Sequence, residues 1–558
     1  MRDSSGRASP GGEQDPRAVD LRLVPPALAA WACAAIAREI APVAVLAVAI
    51  PLLVSGVGTA VGSGRRSRPV RRLARHSSVA IRPAPRRAPL VVAMALACAC
   101  AGAADTALRR IALVNGPVAA LAERGASVDA DLVVTADPRP AREPATGGSP
   151  RSPAAGSSRP AGRPPLTVAP ARLIVLTSGR LRVRQRVAVL VLASGGGWDD
   201  ALPSQRVRIR GRLAAAEPGD SVAAVVFVRR PPTYLGRASP DQRVAGYLRA
   251  RLRRAAASSP GGLLPGLVTG DTRGLDPSVD ADFRTAGMTH LLAVSGANMM
   301  IVLDAVLVVL RRLGVSRRGC AAAAGCALAG FVLVARPSPS VLRAGSMALL
   351  GVVALASGRP AAALPVLATA VGTMVLIQPD LAVSAGFALS SLATAGLIVL
   401  APPWARAWER RAPRVLAPLA EPIAVACAAF VACLPVVAAL AGQISLVSVP
   451  ANVCAEVVVA PTTLLGLVTA LVAPVSVRAA RLPAALAGIG CRWLIVIAHT
   501  AARIPTGQIG WPGGGVGLVA AAGAVAGCAL ALRHRTGRRL LLAAGASAAL
   551  YHVARLPW

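Results

Sequence analysis

Two short constellations in this chain carry residue types that do chemistry elsewhere. The first is His290-Leu-Leu-Ala-Val-Ser295, a histidine five residues ahead of a serine, the types of a base and its nucleophile. No G-x-S-x-G elbow surrounds Ser295, so the pairing does not indicate a hydrolase. The second is Asp271, Arg273 and Asp276 around the run Gly-Asp-Thr-Arg-Gly, where aspartate and glycine are ordinary turn residues. The five histidines (His76, His290, His499, His534 and His552) lie far apart, and no pair has metal-ligand spacing. The ten cysteines include no CxxC pair, and most fall in apolar segments as small buried side chains. There is no Walker A sequence. These residues therefore assign no catalytic residue, no metal site and no cofactor.

A different set stands out by its surroundings. Asp304, Arg343 and Glu456 are ionisable residues inside long apolar runs, and Ser295, Gly296 and Asn298 interrupt another. At membrane depth such groups face a cavity, water or a partner on a neighbouring helix. Two readings stay open: pairing that only holds the bundle together, or the lining of a hydrated path. Opposite charge suggests that Asp304 and Arg343 lie within ion-pair or single-water reach across neighbouring helices. The competing outcome is that Arg343, close to its helix start, snorkels to the interface.

The elements that must position these residues follow from composition. The chain has 558 residues, 54% of them hydrophobic, and a mean hydropathy of +0.58. Its net charge of +36 comes from arginine alone, since the sequence holds no lysine. Arginine is high together with Ala, Gly and Pro, so its placement carries more meaning than its number. Apolar runs near 22–37, 41–61 and 88–104 precede a polar region. Others follow near 290–310, 319–336, 341–357, 361–378, 382–401, 419–440, 444–474, 483–502, 514–531 and 539–555. Residues 1–21 are polar and read as a disordered cytoplasmic N-terminus. The run at 444–474, with Pro450 and Pro461, reads as a broken or re-entrant helix.

Loop charges orient the scheme. Residues 63–88 hold nine arginines, and the positive-inside rule makes that loop cytoplasmic. Arg311, Arg312, Arg317, Arg318, Arg359, Arg406, Arg410, Arg411, Arg414, Arg478, Arg481, Arg533, Arg535, Arg538 and Arg539 then fall on the same side if 105–235 is external. The expectation is a polytopic α-helical membrane protein of about 13 crossings, with both its lipid contact and its orientation set by sequence.

Residues 105–235 read as an inserted external β domain, a small barrel of OB type. Strand-like stretches fall at 128–135, 170–176, 181–193, 206–213 and 222–228, and a Pro/Ser/Gly/Arg insertion at 137–165 reads as flexible. Arg182, Arg184 and Arg186 alternate with apolar residues, as do Arg206, Arg208, Arg210 and Arg212, so each strand offers a row of arginines on one face. The rows are candidate DNA contacts. The alternative is a solvated face, and the few aromatics (Trp198, Phe227 and Tyr234) argue against base stacking. Residues 236–289 form a linker with a basic helix at 239–257 and the Gly-Asp turn, ahead of a transmembrane domain at 290–558.

Four stretches in order resemble the ComEC competence family of bacterial DNA-uptake channels. They are LLPGLVTGDTRGLDPSVDADFRTAGMTHLLAVSGANMMIVLDAVLVVLRR at 263–312, PSVLRAGSMALLGVVALASGRP at 339–360, PDLAVSAGFALSSLATAGLIVLAPP at 379–403 and GQISLVSVPANVCAEVVVAP at 442–461. The resemblance spans roughly 100–475. The sequence departs from it where "SGLH" is replaced by Ser295-Gly296-Ala297-Asn298 and "GFQLS" by Gly386-Phe387-Ala388-Leu389-Ser390. No HxHxDH cluster is present, so the resemblance is to a form lacking the metallo-β-lactamase-like domain, without nuclease chemistry. What it implies is a non-enzymatic channel for single-stranded DNA in the cell membrane of a bacterium. Asp271, His290, Ser295, Gly296, Asn298, Asp304, Arg343, Gln443, Asn452 and Glu456 would stand at its pore or motifs. Each phosphate moving inward against the membrane potential costs about 2.3 kcal/mol per 100 mV, and nothing in the chain supplies that energy. The implied partners are therefore a cytoplasmic helicase-like ATPase motor and an external DNA receptor, with homodimerisation left open. A transporter of another solute, or a membrane-embedded hydrolase using Ser295 or Asp271, are the other classes.

Overall fold

The computed structural model describes residues 21, 23–38, 40, 44–49, 88–141, 166–217, 220–292, 294, 296–357, 362–504 and 507–531. The expectations for the N-terminal 20 residues, the nine-arginine loop, most of 41–61, most of the insertion at 137–165, Ser295 and the crossing at 539–555 lie outside these residues; at the start of that insertion Arg139 and Pro140 pair with Val168 and Thr167 as a short strand.

Alternation of valine, leucine and isoleucine with polar residues builds the β domain. Its strands are β1 (Ser127–Val134), β2 (Thr167–Ser178), β3 (Leu181–Arg184), β4 (Ala188–Ala193), β5 (Arg206–Ala214) and β6 (Ala224–Val228). Neighbours run β1-β2-β4-β6-β5, and β5 returns to pair with β1, which closes a five-stranded barrel. All these pairings are antiparallel except β4 with β6, which is parallel. That order and that single parallel contact are those of an OB-like barrel, so the expected class holds. The run expected as one strand at 181–193 is two, because residues 185–187 leave the ladder between β3 and β4. Val128, Leu132, Leu173, Val191, Val207, Ile209 and Leu213 fill the interior, and buried Trp198 packs in the same cluster.

The helical part begins with α1 (Val24–Ile36) and α2 (Ala88–Val114), and α3 (Pro117–Glu123) leads into the barrel. After the barrel come α4 (Pro240–Ala255), α5 (Leu263–Thr269), α6 (Pro277–Thr285), α7 (Gly296–Arg312), α8 (Arg317–Ala335), α9 (Pro339–Ser357) and α10 (Ala363–Ile377). The chain continues through α11 (Ala385–Val399), α12 (Ala401–Glu409), α13 (Ala420–Ala441), α14 (Ser448–Val472), α15 (Val477–Ala502) and α16 (Gly514–Ala531). Large apolar side chains stand exposed along the long helices, for example Val457, Leu471, Val516 and Val519, as lipid contact requires.

The count of crossings is lower than expected. Among the described residues seven helices are long and apolar enough to cross a membrane, or eight if the pair α11–α12, bent by 43°, is one span. Helices α1 and α10 are apolar but short. Helix α7 has only 17 residues and carries Asp304 and two terminal arginines. Apolar composition marks these stretches correctly as buried or lipid-facing, but a helix of 13 to 17 residues rises too little to span ~30 Å. The stretch expected to break at 444–474 is one helix, α14. Pro450 lies in its first turn, where no backbone donor is needed, and Pro461 is tolerated inside.

Orientation is corrected too. Arg249 of α4 donates to Val334 O near the end of α8 at 2.9 Å, and Arg251 donates to Ala473 O just past α14 at 3.1 Å. Two arginine side chains set two residues apart are too short to bridge the ~30 Å hydrocarbon core. The ends of α8 and α14 therefore lie on one side of the bundle, whereas loop charges placed them on opposite sides. A parity count propagates every short or bent stretch to all later loops.

Candidate functional site

Arginine chemistry concentrates in three places. In the bundle, Arg343 sits in the second turn of α9 and is 5% exposed. Its Nε donates to Ser390 Oγ of α11 at 2.9 Å, and Nη1 lies 3.2 Å from Met347 Sδ. A Cβ added at Gly296, the first residue of α7, would stand 3.4 Å from Arg343 Nη2, so the absent side chain there makes room for the guanidinium. Two residues further, buried Asn298 donates from Nδ2 to Leu267 O of α5 at 2.8 Å. Three separate segments, at 296, 343 and 390, thus meet on one buried cation.

The expected pair of Asp304 with Arg343 is not formed. Among the described residues no carboxylate lies within 4.0 Å of Arg343, and Asp304 is exposed on α7. Helical geometry puts Asp304 eight residues from Gly296, more than two turns along the axis, while Arg343 stays level with the start of α7. The snorkelling alternative is not taken either, since Arg343 is held inside by Ser390. The other motif residues disperse. His290 is exposed in the turn Thr289–Leu291. Gln443 is exposed in a short strand, where its backbone pairs with Gly510. Asn452 bonds back to Ser448 O at 2.7 Å within its own helix. Glu456 is exposed on α14 and makes no ion pair within 4.0 Å among the described residues. The structure brings Gly296 and Arg343 together, ties Asn298 to α5, and leaves Asp271, His290, Asp304, Gln443, Asn452 and Glu456 elsewhere.

Asp271 anchors a second site, where the barrel meets the bundle. Gly270 ends α5 with φ of +68° and lies against Val294, which turns the chain so that Asp271 points back at α4. Asp271 is 2% exposed and lies within ion-pair distance of Arg249 (3.7 Å), Arg253 and Arg273 (3.9 Å). Asp137, just past β1, is held by Arg249 (3.4 Å), Arg273 (3.0 Å) and Arg336 (3.1 Å). Arg336 reaches it from a backbone at φ +71°, an uncommon conformation for a side-chain-bearing residue, and also bonds Gln242. Burial by itself would raise the Asp271 carboxyl, but the guanidiniums of Arg249 and Arg253 outweigh it and hold the group below its ordinary value. Arg249 is lowered by its own burial. It also donates to Thr269 O at 2.8 Å, so it serves both carboxylates and two backbone carbonyls.

Sequence reading singled out Asp271, Arg273 and Asp276 but missed Asp137, Arg249, Arg253 and Arg336. Asp276 does ordinary turn work, capping α6 through Ser278 N at 2.9 Å. The signal available for α4 was its helical spacing, because Gln242, Arg249 and Arg253 fall on one face. Nothing local pointed to Asp137 or Arg336.

The third place is the outer face of the barrel. Thr177 of β2 pairs with Arg182 on one side and Asp129 on the other, and Asp129 pairs with Arg210. Val175 links Arg184, Asp131 and Arg208 in the same way. Paired residues share a face, so both arginine rows look outward from the same side, roughly 14 Å apart across two intervening strands. Arg186 lies past the end of β3, exposed, and Arg206 is exposed at the start of β5. Two carboxylates that sequence reading passed over stand in the middle. Arg208 binds Asp131 through Nε (2.6 Å) and Nη2 (3.0 Å), and Arg210 binds Asp129 with the same distances. These hydrogen bonds hold both aspartates below their ordinary values. Arg212 turns to Gly125 O at 3.0 Å. The signal was the alternation Ser-Val-Asp-Ala-Asp in β1, the mirror of the arginine rows.

Among the described residues no group of three or more His, Cys, Asp or Glu is placed to hold a metal ion. No curated protein and no solved structure matches the chain. A family described as Competence protein matches residues 267–536, a stretch that starts inside α5 and takes in the Arg343 site whole. Over that stretch the chain carries a Competence protein domain.

Proposed function

We propose that this protein is a ComEC-type channel that passes single-stranded DNA across the cell membrane of a bacterium during natural transformation. The observation that carries the reading is the meeting of Gly296, Arg343 and Ser390. Three motif segments far apart in the chain, all inside the Competence protein domain, converge on one membrane-buried cation without a carboxylate partner among the described residues. A buried unpaired charge is costly in a bundle, and a phosphate passing nearby would offset it. The arginine rows Arg182/Arg184/Arg186 and Arg206/Arg208/Arg210/Arg212 supply an external basic face for the strand before it enters. Conduction is passive, so a cytoplasmic ATPase motor pulls the strand and an external receptor delivers it. The protein itself performs no chemistry on DNA. Deleting the gene and scoring uptake of labelled DNA and transformant number tests this: both fall to background, and normal uptake by the deletion strain overturns the reading.

A further inference from the structure

The barrel loop at 199–202 and helix α4 enclose a cleft of about 250 Å³, open to solvent. Arg249, Arg253, Arg273 and Arg336 line it, together with Tyr247, Asp199 and Asp200. These four guanidiniums are the ones that share Asp137 and Asp271. Four cations against two carboxylates leave two positive charges in excess. Arg249 and Arg336 are nearly covered, with 6% and 12% of their side chains exposed, whereas Arg253 and Arg273 keep 34% and 24% open. Excess charge in a partly desolvated cluster favours an anion on its open side. The rim aspartates are exposed, and among the described residues neither carboxylate makes an ion pair within 4.0 Å; Asp199 O accepts from Arg273 Nη1 at 2.9 Å, so Arg253 is the guanidinium that keeps open donors towards the cleft. Tyr247 is half exposed at the same cleft; the Arg251 guanidinium lies 5.6 Å over one side of its ring, which leaves the opposite face for a base.

We propose that this cleft binds one nucleotide of a single-stranded DNA, its phosphodiester on Arg253 and its base against Tyr247. The site deepens the channel reading and rests on it: it places a holding point between the barrel face and the bundle. Its size fits a single strand and not a duplex. Asp199 and Asp200 work against the phosphate and keep the hold weak enough for the strand to move on.

The test uses the full chain in lipid nanodiscs and a fluorescent oligo(dT) of about 16 nucleotides, titrated at several salt concentrations. Arg253→Gln is the first variant, because Asp271 keeps Arg249 and Arg273 when Arg253 is lost. Binding should weaken about tenfold, the scale of one charge-assisted hydrogen bond. The salt slope should fall by roughly 0.7 for the phosphate contact removed. Asp200→Asn, at an exposed rim position, should act oppositely and tighten binding at low salt. Tyr247→Leu should weaken binding without changing the salt slope. Unchanged affinity and slope in Arg253→Gln together with unchanged affinity in Asp200→Asn overturn the site, as does a wild-type chain that does not bind the oligonucleotide. Uptake by the deletion strain is scored separately, so loss of the channel reading and loss of this site are told apart.

Discussion

On the barrel, guanidinium meets carboxylate in water; at the foot of α4 it meets carboxylate largely out of it. Arg208 and Arg210 form the better geometry, with two short contacts each to Asp131 and Asp129, yet their side chains are 58% and 68% exposed. Asp271 has one close contact, to Arg253, and longer ones to Arg249 and Arg273, but its side chain is 1% exposed and shared among three cations. The difference teaches that ion-pair geometry alone does not rank stability. Exposed pairs are screened and lose side-chain entropy, whereas removing one partner from a buried set leaves charge without compensation. Both sites are rich in arginine, but the junction ties together the more distant segments, up to 199 positions apart against about 80 in the barrel.

The sharpest way to break this comparison is Asp271→Asn. It should cost about 3–5 kcal/mol, because Arg249 and Arg253 are left without their shared carboxylate. Thermal unfolding in nanodiscs measures it, and a loss no larger than that of a barrel variant would erase the distinction. A third arginine environment extends the test. Arg343→Leu removes a buried cation held, among the described residues, by Ser390 and Met347, so the melting temperature should not fall. DNA uptake should nevertheless drop about tenfold or more, the scale of a lost charge-assisted contact. Retained uptake would make Arg343 a packing residue.

Acid separates the two regions again. Asp271 has a folded value lowered below the ordinary 3.8, so its contribution is fully present above that value and is lost as pH falls through the lower one. Hydrogen exchange in α4 and the 270–276 turn should therefore rise below about pH 4. Asp129 and Asp131 are lowered as well, but their exposure makes any change in β1 exchange small. Equal acid sensitivity in both places would count against the burial argument. The smallest expected effect is that of Arg208→Gln, which should leave the melting temperature unchanged within error. Replacing Asp129 and Asp131 with Asn should instead strengthen DNA binding at low salt, since it unmasks the rows, and 0.5 M salt should remove the gain, as a Debye length of only a few Å implies.

Much was legible in the sequence because it is periodic. Alternation in Arg206-Val-Arg-Ile-Arg placed arginines outside and Val207 and Ile209 inside, and the barrel closes on those apolar residues. Apolar runs located α8, α9, α13, α15 and α16, and the basic stretch at 239–257 is α4. These are properties of neighbouring residues, set by strand and helix repeat, and hold wherever the element packs. Periodicity did not reveal that α1 and α10 are too short to cross or that α11 and α12 bend, since hydropathy reports burial and not direction.

What only the tertiary structure decided is who meets whom. Asp129 and Asp131 stand between the arginine rows because β1 pairs with β5 across nearly 80 positions of sequence, a register no local pattern encodes. Asp137 and Arg336 meet across 199 positions, and Arg343 finds Ser390 in place of the oppositely charged Asp304. Charge sign suggested the wrong partner for Arg343 because attraction falls with distance while helix packing fixes which turns are level. Residue type sets what an arginine can bind, and the packing of distant elements sets whether it does so in water, in a shared buried network, or within the membrane bundle.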